Sequence, residues 1–215
     1  MLFSYISCEQ LDIYSVKLIW YDTDTKPVEM QNQDDKWICN IDLSEGTYLY
    51  KILLNDILPI NDSYSNLFLP DENDVLWSVL VVNENKERAY CNKQTNLNIS
   101  DYILASDISN FGITNCKKIF IPPSDKMIAT RLGFKNVTGV HTITALYISP
   151  EDEWFDIYEH TLLPQNKYVW FSLDLNVIGR NYLHGMWQIM IFVDGEFVLK
   201  DNFELKAPIS FESKI

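Results

Sequence analysis

The chain has 215 residues, 17 basic against 30 acidic, for a net charge of −13 and a pI near 4.5. Its length and 47% hydrophobic content allow one or two buried cores, while the acid excess argues against a nucleic-acid binder, which needs a basic face to meet phosphates. No apolar run approaches the ~20 residues of a spanning helix, no basic amphipathic stretch points to a membrane surface, and Met1–Ile6 lacks the basic opening of a secretory signal, so a cytoplasmic protein is the expectation.

Met1 to Ile6 reads as a first strand, and Ser15–Tyr21 is rich in β-branched and aromatic residues. In Lys36–Leu43, Trp37, Cys39 and Ile41 share one face while Asn40 and Asp42 take the other, the period of a half-buried strand. Ser44-Glu45-Gly46 turns the chain into Thr47–Leu54, and Val75–Val82 is apolar on both faces, as a central strand should be. The polar stretch Asn92–Asn96 marks a seam between units 1–93 and 94–215. Beyond it, Lys118–Ile121, Met127–Phe134, Val140–Ile148 and Tyr168–Leu175 read as strands. Met186–Phe192 and Phe197–Leu205 flank Val193-Asp194-Gly195-Glu196, where Asp-Gly suits the positive φ angles of a type I′ hairpin. No segment sustains a helical apolar period, so the expected class is all-β, two tandem antiparallel sandwiches.

Chemistry is sparse. The GxSxG, HExxH, P-loop and GxGxxG patterns are all missing. His141, His160 and His184 fall in different elements without ligand spacing, and His141 opens an apolar strand, where a packed histidine is expected. Cys8, Cys39, Cys91 and Cys116 form no CxxC pair, which speaks against zinc and for reduced thiols. The acidic, aromatic run Glu151–Glu159 lacks the spacing and central glycine of a calcium loop. It reads as a loop and edge strand, with Trp154 and Tyr158 packing down and charges guarding the edge. No catalytic residue, cofactor or metal is expected, and the chain reads as non-enzymatic.

Val16–Trp20, Asp35-Lys36-Trp37, Leu43–Lys51, Leu54-Asn55-Asp56, Ile60-Asn61-Asp62 and Val79–Val82 carry a likeness to a known family. In that order they resemble the glycogen-binding modules of AMP-activated protein kinase β-subunits and those preceding starch-branching and debranching catalytic domains. The resemblance covers about a third of the chain. It implies an immunoglobulin-like sandwich and an α-glucan ligand, whose apolar C–H faces stack on aromatic rings while Lys and Asn bond the hydroxyls. Lys51 matches the family's ligand-contacting lysine. Leu58 stands where the family has a tryptophan, Trp77 falls near its last-strand asparagine, and Asp22–Lys26 holds no first-loop tryptophan. The binding set implied is Lys51, Trp77 and Tyr64, with the Leu58 position.

Two of these residues have bland alternatives. Trp77 reads either as a core residue sharing a face with Val75, Val79 and Val81 or as a stacking platform, and Lys51 either as a contact or as a surface lysine. Trp20 and Trp37 read as core. The competing function is a protein–protein interaction or structural sandwich that has lost the sugar. Coplanar exposed aromatics near Lys51 would mark a sugar face, and a continuous apolar patch would mark a protein partner. In the second unit, Gly185–Phe197 with Asn202–Leu205 resembles the terminal hairpin of accessory sandwich domains in bacterial surface and carbohydrate-processing proteins. Arg180-Asn181-Tyr182 before it reads as a corner pinning a loop.

Overall fold

The computed structural model describes residues 1–22, 24–34, 36–65, 67–89, 97–109, 112–177 and 182–208. The expected seam at Asn92–Asn96 and Cys91 lie outside these. Ten strands occupy the first part: β1 (Leu2–Ile6), β2 (Val16–Trp20), β3 (Val28–Glu29), β4 (Gln31–Gln33), β5 (Lys36–Asn40), β6 (Gly46–Leu54), β7 (Leu58–Ile60), β8 (Phe68–Pro70), β9 (Leu76–Val82) and β10 (Arg88–Ala89). Nine follow: β11 (Asn98–Ser109), β12 (Gly112–Cys116), β13 (Ile119–Phe120), β14 (Met127–Lys135), β15 (His141–Ile148), β16 (Trp154–Leu162), β17 (Tyr168–Asp174), β18 (Gly185–Val193) and β19 (Glu196–Leu205). Among the described residues no helix is long and apolar enough to cross a membrane.

Each of the four sheets draws its strands from one side of residues 90–96. In the first part β1-β5-β4 faces β10-β9-β6-β2-β3, with β7 beside β6 and β8 beside β9. In the second, β12-β11-β14-β17 faces β13-β19-β18-β15-β16. The second arrangement is immunoglobulin-like: β11, β14 and β17 form one layer in A-B-E order, and β19, β18, β15 and β16 form the other in G-F-C-C′ order. Among the described residues the first repeats that plan without strand A. The protein is therefore all-β, built as immunoglobulin-like sandwiches. Among the described residues all strand pairs are antiparallel except β13 with β19.

Alternation explains most of the first core. Along β6, Tyr50, Ile52 and Leu54 point inward beside Val16 and Leu18 of β2, and Trp37 and Cys39 of β5 close the opposite layer. Strand β9 is apolar on both sides as expected, with no exposed residue and with Val79 buried on the odd-numbered side. Its core side is Leu76, Ser78, Leu80 and Val82, and Ser78 is buried because its hydroxyl donates to Asn61 Oδ1 (2.9 Å) and accepts from Asp62 N–H (2.9 Å). Trp77 thus faces away from the core.

The Asp-Gly hairpin forms as the sequence predicts, with φ 50° at Asp194 and 82° at Gly195. Asp194 also anchors the turn: its carboxylate accepts from Thr142 N–H (2.9 Å) and lies 2.8 Å from His141 Nδ1. His141 is indeed a packed histidine, buried with its Nε2 2.9 Å from the Thr138 carbonyl. Tyr182 bonds through its hydroxyl to the Asp174 carbonyl, a tyrosine corner before β18. Arg180 and Asn181, expected to share that corner, lie outside the described residues. Cys8, Cys39 and Cys116 are free thiols.

The acidic run becomes the edge strand β16, with Trp154 packed toward the first core and Tyr158 toward the second. All eight residues of β15 are buried. Ile143, Ala145 and Tyr147 enter the second core, while Leu146 and Ile148, with Met190 and Phe192 of β18, join the first. A sheet face that would be solvated in a lone sandwich is thereby closed by the other one. At the hairpin tip the contact becomes backbone-tight: a Cβ built on Gly195 would lie 1.7 Å from the Asn61 carbonyl oxygen.

Candidate functional site

Strand β6 turns Lys51 outward while Tyr50 and Ile52 turn in, so the lysine occupies the outer face on which the family resemblance places a glucan contact. It is not a surface lysine. Lys51 is only 2% exposed, and its Nζ lies 2.6 Å from Glu159 Oε2 of β16. The ammonium also sits 5.5 Å from the centroid of the Trp77 ring, within cation–π range. Two of the expected site residues therefore do come together, but beneath an acidic strand of the second sandwich. Leu58 is corrected outright: it has no exposed surface and packs in the first core, where no polysaccharide reaches it. Tyr64 is 44% exposed, with its backbone N–H bonded to Asp62 Oδ1 (2.9 Å).

Trp77 donates its indole N–H to Asp71 Oδ2 (3.0 Å) and meets Tyr21 edge-on at 5.5 Å between ring centroids. Leu69 is its cross-strand partner in β8, and Leu67 lies beside Val79 through the Val79 N–H to Leu67 carbonyl bond (2.9 Å). Tyr21, Leu67 and Leu69 are all exposed. The outer face of this sheet thus carries a run of apolar side chains, Tyr21–Trp77–Leu69–Leu67, next to a buried ion pair. Tyr21 also borders a hollow of about 650 Å³ whose walls include Trp20, Val28, Ile41, Leu43 and Tyr48. Trp20 is half-buried against the core as expected, and its indole nitrogen finds no acceptor among the described residues.

Asp71 couples the strip to pH. Partial desolvation pushes its carboxyl up, but hydrogen bonds from Trp77, Val75 and Asn73 and the nearby Lys51 ammonium outweigh that and hold it below the usual carboxylate range. A folded-state value below the unfolded one means that ionised Asp71 stabilises the fold above the unfolded-state titration, and that this is lost as pH falls through the lower folded value. The indole N–H resonance of Trp77 is expected to titrate below the midpoint of a free aspartate, and Asp71→Asn to abolish the titration. A midpoint at the free value would show that the Trp77–Asp71 bond is not formed.

Glu159, Tyr21, Leu67 and Leu69 are not among the residues the sequence points to. Leu67 and Leu69 carry no periodic signal, because β8 is three residues long. Glu159 reads from sequence as an edge charge, and its partner lies 108 residues away. Among the described residues no cluster of three or more His, Cys, Asp or Glu side chains could hold a metal.

No family model matches this chain, and no curated protein matches it. Among solved structures, an immunoglobulin-like protein from Pseudomonas aeruginosa is similar at 15% identity over 54% of this chain and 100% of its own, with a TM-score of 0.40. A Pseudomonas fluorescens alkylpurine DNA glycosylase, AlkC, bound to DNA containing an abasic site analog, is similar at 10% identity over 54% of this chain and 32% of its own, with a TM-score of 0.39. Likeness at this level transfers no activity, and the fold assignment rests on the strand order itself.

Proposed function

We propose that this chain is a non-catalytic interaction protein in which two sandwiches form one scaffold and the first docks a protein partner through Tyr21, Leu67, Leu69 and Trp77. The observation that carries this is the state of Lys51. The residue a glucan would need is buried under β16 and paired with Glu159, while the aromatic beside it opens into an exposed apolar strip. Contiguous exposed apolar side chains mark association surfaces, Trp and Tyr are the residue types that dominate such interfaces, and Tyr21 borders a hollow able to accept an anchor. The missing catalytic motifs support the non-catalytic half of the reading.

Native gels containing glycogen or amylopectin test the alternative directly. Wild type is expected to migrate as it does without polysaccharide. Retardation that Lys51→Ala abolishes would overturn the interaction reading and restore the α-glucan one. With a candidate partner in hand, Leu67→Asp with Leu69→Asp is expected to abolish binding while shifting stability by no more than about 0.5 kcal/mol per surface site.

A further inference from the structure

A second face carries chemistry that the first does not use. On the outer side of β14 and β17, the Arg131 guanidinium lies 4.9 Å from the Tyr168 ring centroid and 5.7 Å from that of Trp170, and it pairs with Asp101 of β11. Tyr168 is cross-strand from Gly133. A Cβ on Gly133 would come within 2.9 Å of Asp101 Cβ and 3.2 Å of Tyr168 Cε1, so the missing side chain is what lets the ring settle on the sheet. The seated ring remains 47% exposed. It forms one wall of a groove of about 450 Å³ that also takes in Ser100, Lys135, Asn136, Asn166 and Lys167.

Charge sets the groove apart. Lys135 and Lys167 line it and no acidic side chain does, while Arg131 pairs with Asp101 beside it and the exposed Asp107 and Asp174 lie farther along β11 and β17, in a chain with a net charge of −13. Neither Lys135 nor Lys167 has a carboxylate partner among the described residues. An open aromatic plane suits the C–H face of a pyranose. The Arg131–Asp101 pair and the two Asn amides donate and accept, as vicinal hydroxyls require. Two unpaired ammonium groups at the end of the plane ask for negative charge on the ligand.

We propose that this face binds an acidic oligosaccharide of the uronate-bearing class, one ring laid on Tyr168 and its carboxylates on Lys135 and Lys167. The full chain titrated by calorimetry with a short oligogalacturonate, a maltooligosaccharide of the same length and polyglutamate provides the test. The oligogalacturonate is expected to bind, more weakly at high salt. Tyr168→Ala, and separately Lys135→Gln with Lys167→Gln, are each expected to weaken it roughly tenfold, an effect the size of one aromatic or charged contact. The glutamine pair changes only exposed charge, so its melting temperature should match wild type and keep the test valid if Tyr168→Ala loosens the sheet. No binding, binding indifferent to both variants, equal binding of the neutral sugar, or binding of polyglutamate alone would each overturn the proposal.

Discussion

Gly195→Ala is expected to destabilise the protein by at least about 3 kcal/mol, the size of effect that a named backbone clash produces. Two costs combine at this position. The first is conformational: φ is +82°, and holding an L-residue there costs roughly 1–2 kcal/mol. The second is steric, since the new methyl would sit 1.7 Å from the Asn61 carbonyl oxygen, which is backbone and has no rotamer to yield. Asn61 is itself held, because its side-chain amide donates to the Leu76 carbonyl (3.1 Å) and its Oδ1 accepts from Ser78. Either the hairpin withdraws and opens the apolar contact between the sandwiches, or the first core distorts. Gly139 is the internal control, with φ +84° and nothing within 4 Å of its built Cβ. Gly139→Ala should cost only the conformational part. Urea unfolding of both variants separates the terms, and equal losses would show that the hairpin tip does not press on Asn61.

The second large effect concerns the Lys51–Glu159 pair, and it is asymmetric. The Lys51 side chain is 3% exposed and that of Glu159 18%. Breaking a buried pair costs roughly 3–5 kcal/mol because one charge is left uncompensated, so the cost depends on which charge remains. Glu159→Gln strands a nearly enclosed ammonium with only the Trp77 ring and the more distant Asp71 for compensation, and should approach that range. Lys51→Met strands a carboxylate that can still take up water, and should cost less. The double variant Lys51→Met with Glu159→Gln removes both charges and should recover most of the loss, since a buried pair replaced by groups of similar volume is often neutral. Chemical denaturation of the four proteins completes the cycle. Additive losses would mean that the two residues do not interact, and with that the second sandwich would no longer explain why Lys51 is closed to ligands.

These substitutions also mark where sequence reading succeeds and where it stops. The Asp194-Gly195 turn is readable because its cause is local: two residues that tolerate positive φ between alternating strands. The same holds for β2, β5, β6 and β14, whose inward residues follow a period of two. Strand β11 is harder to read. A register shift between Ile99 and Asp101 breaks the alternation that would have announced it. Trp77 shows the limit of the pattern argument, because both faces of Val75–Val82 are apolar and periodicity cannot say which one meets the core. The decision comes from Ser78, whose bonds to Asn61 and Asp62 turn the even-numbered residues toward the core.

Composition and local pattern by themselves determine that this protein is all-β, that it is acidic, where most strands run and that its final hairpin turns at Asp-Gly. They do so because charge, side-chain period and turn chemistry are properties of neighbouring residues. Which residues are available to a ligand was decided only by the tertiary structure. Burial of Lys51 needs Glu159 from a strand more than a hundred residues away, and burial of Leu58 needs the closed first core. The exposed strip at Trp77 needs β8 to bring Leu67 and Leu69 alongside, and the Tyr168 platform needs Gly133 from another strand beneath it. Each depends on surfaces meeting across the sheets, and no short-range period encodes such a meeting.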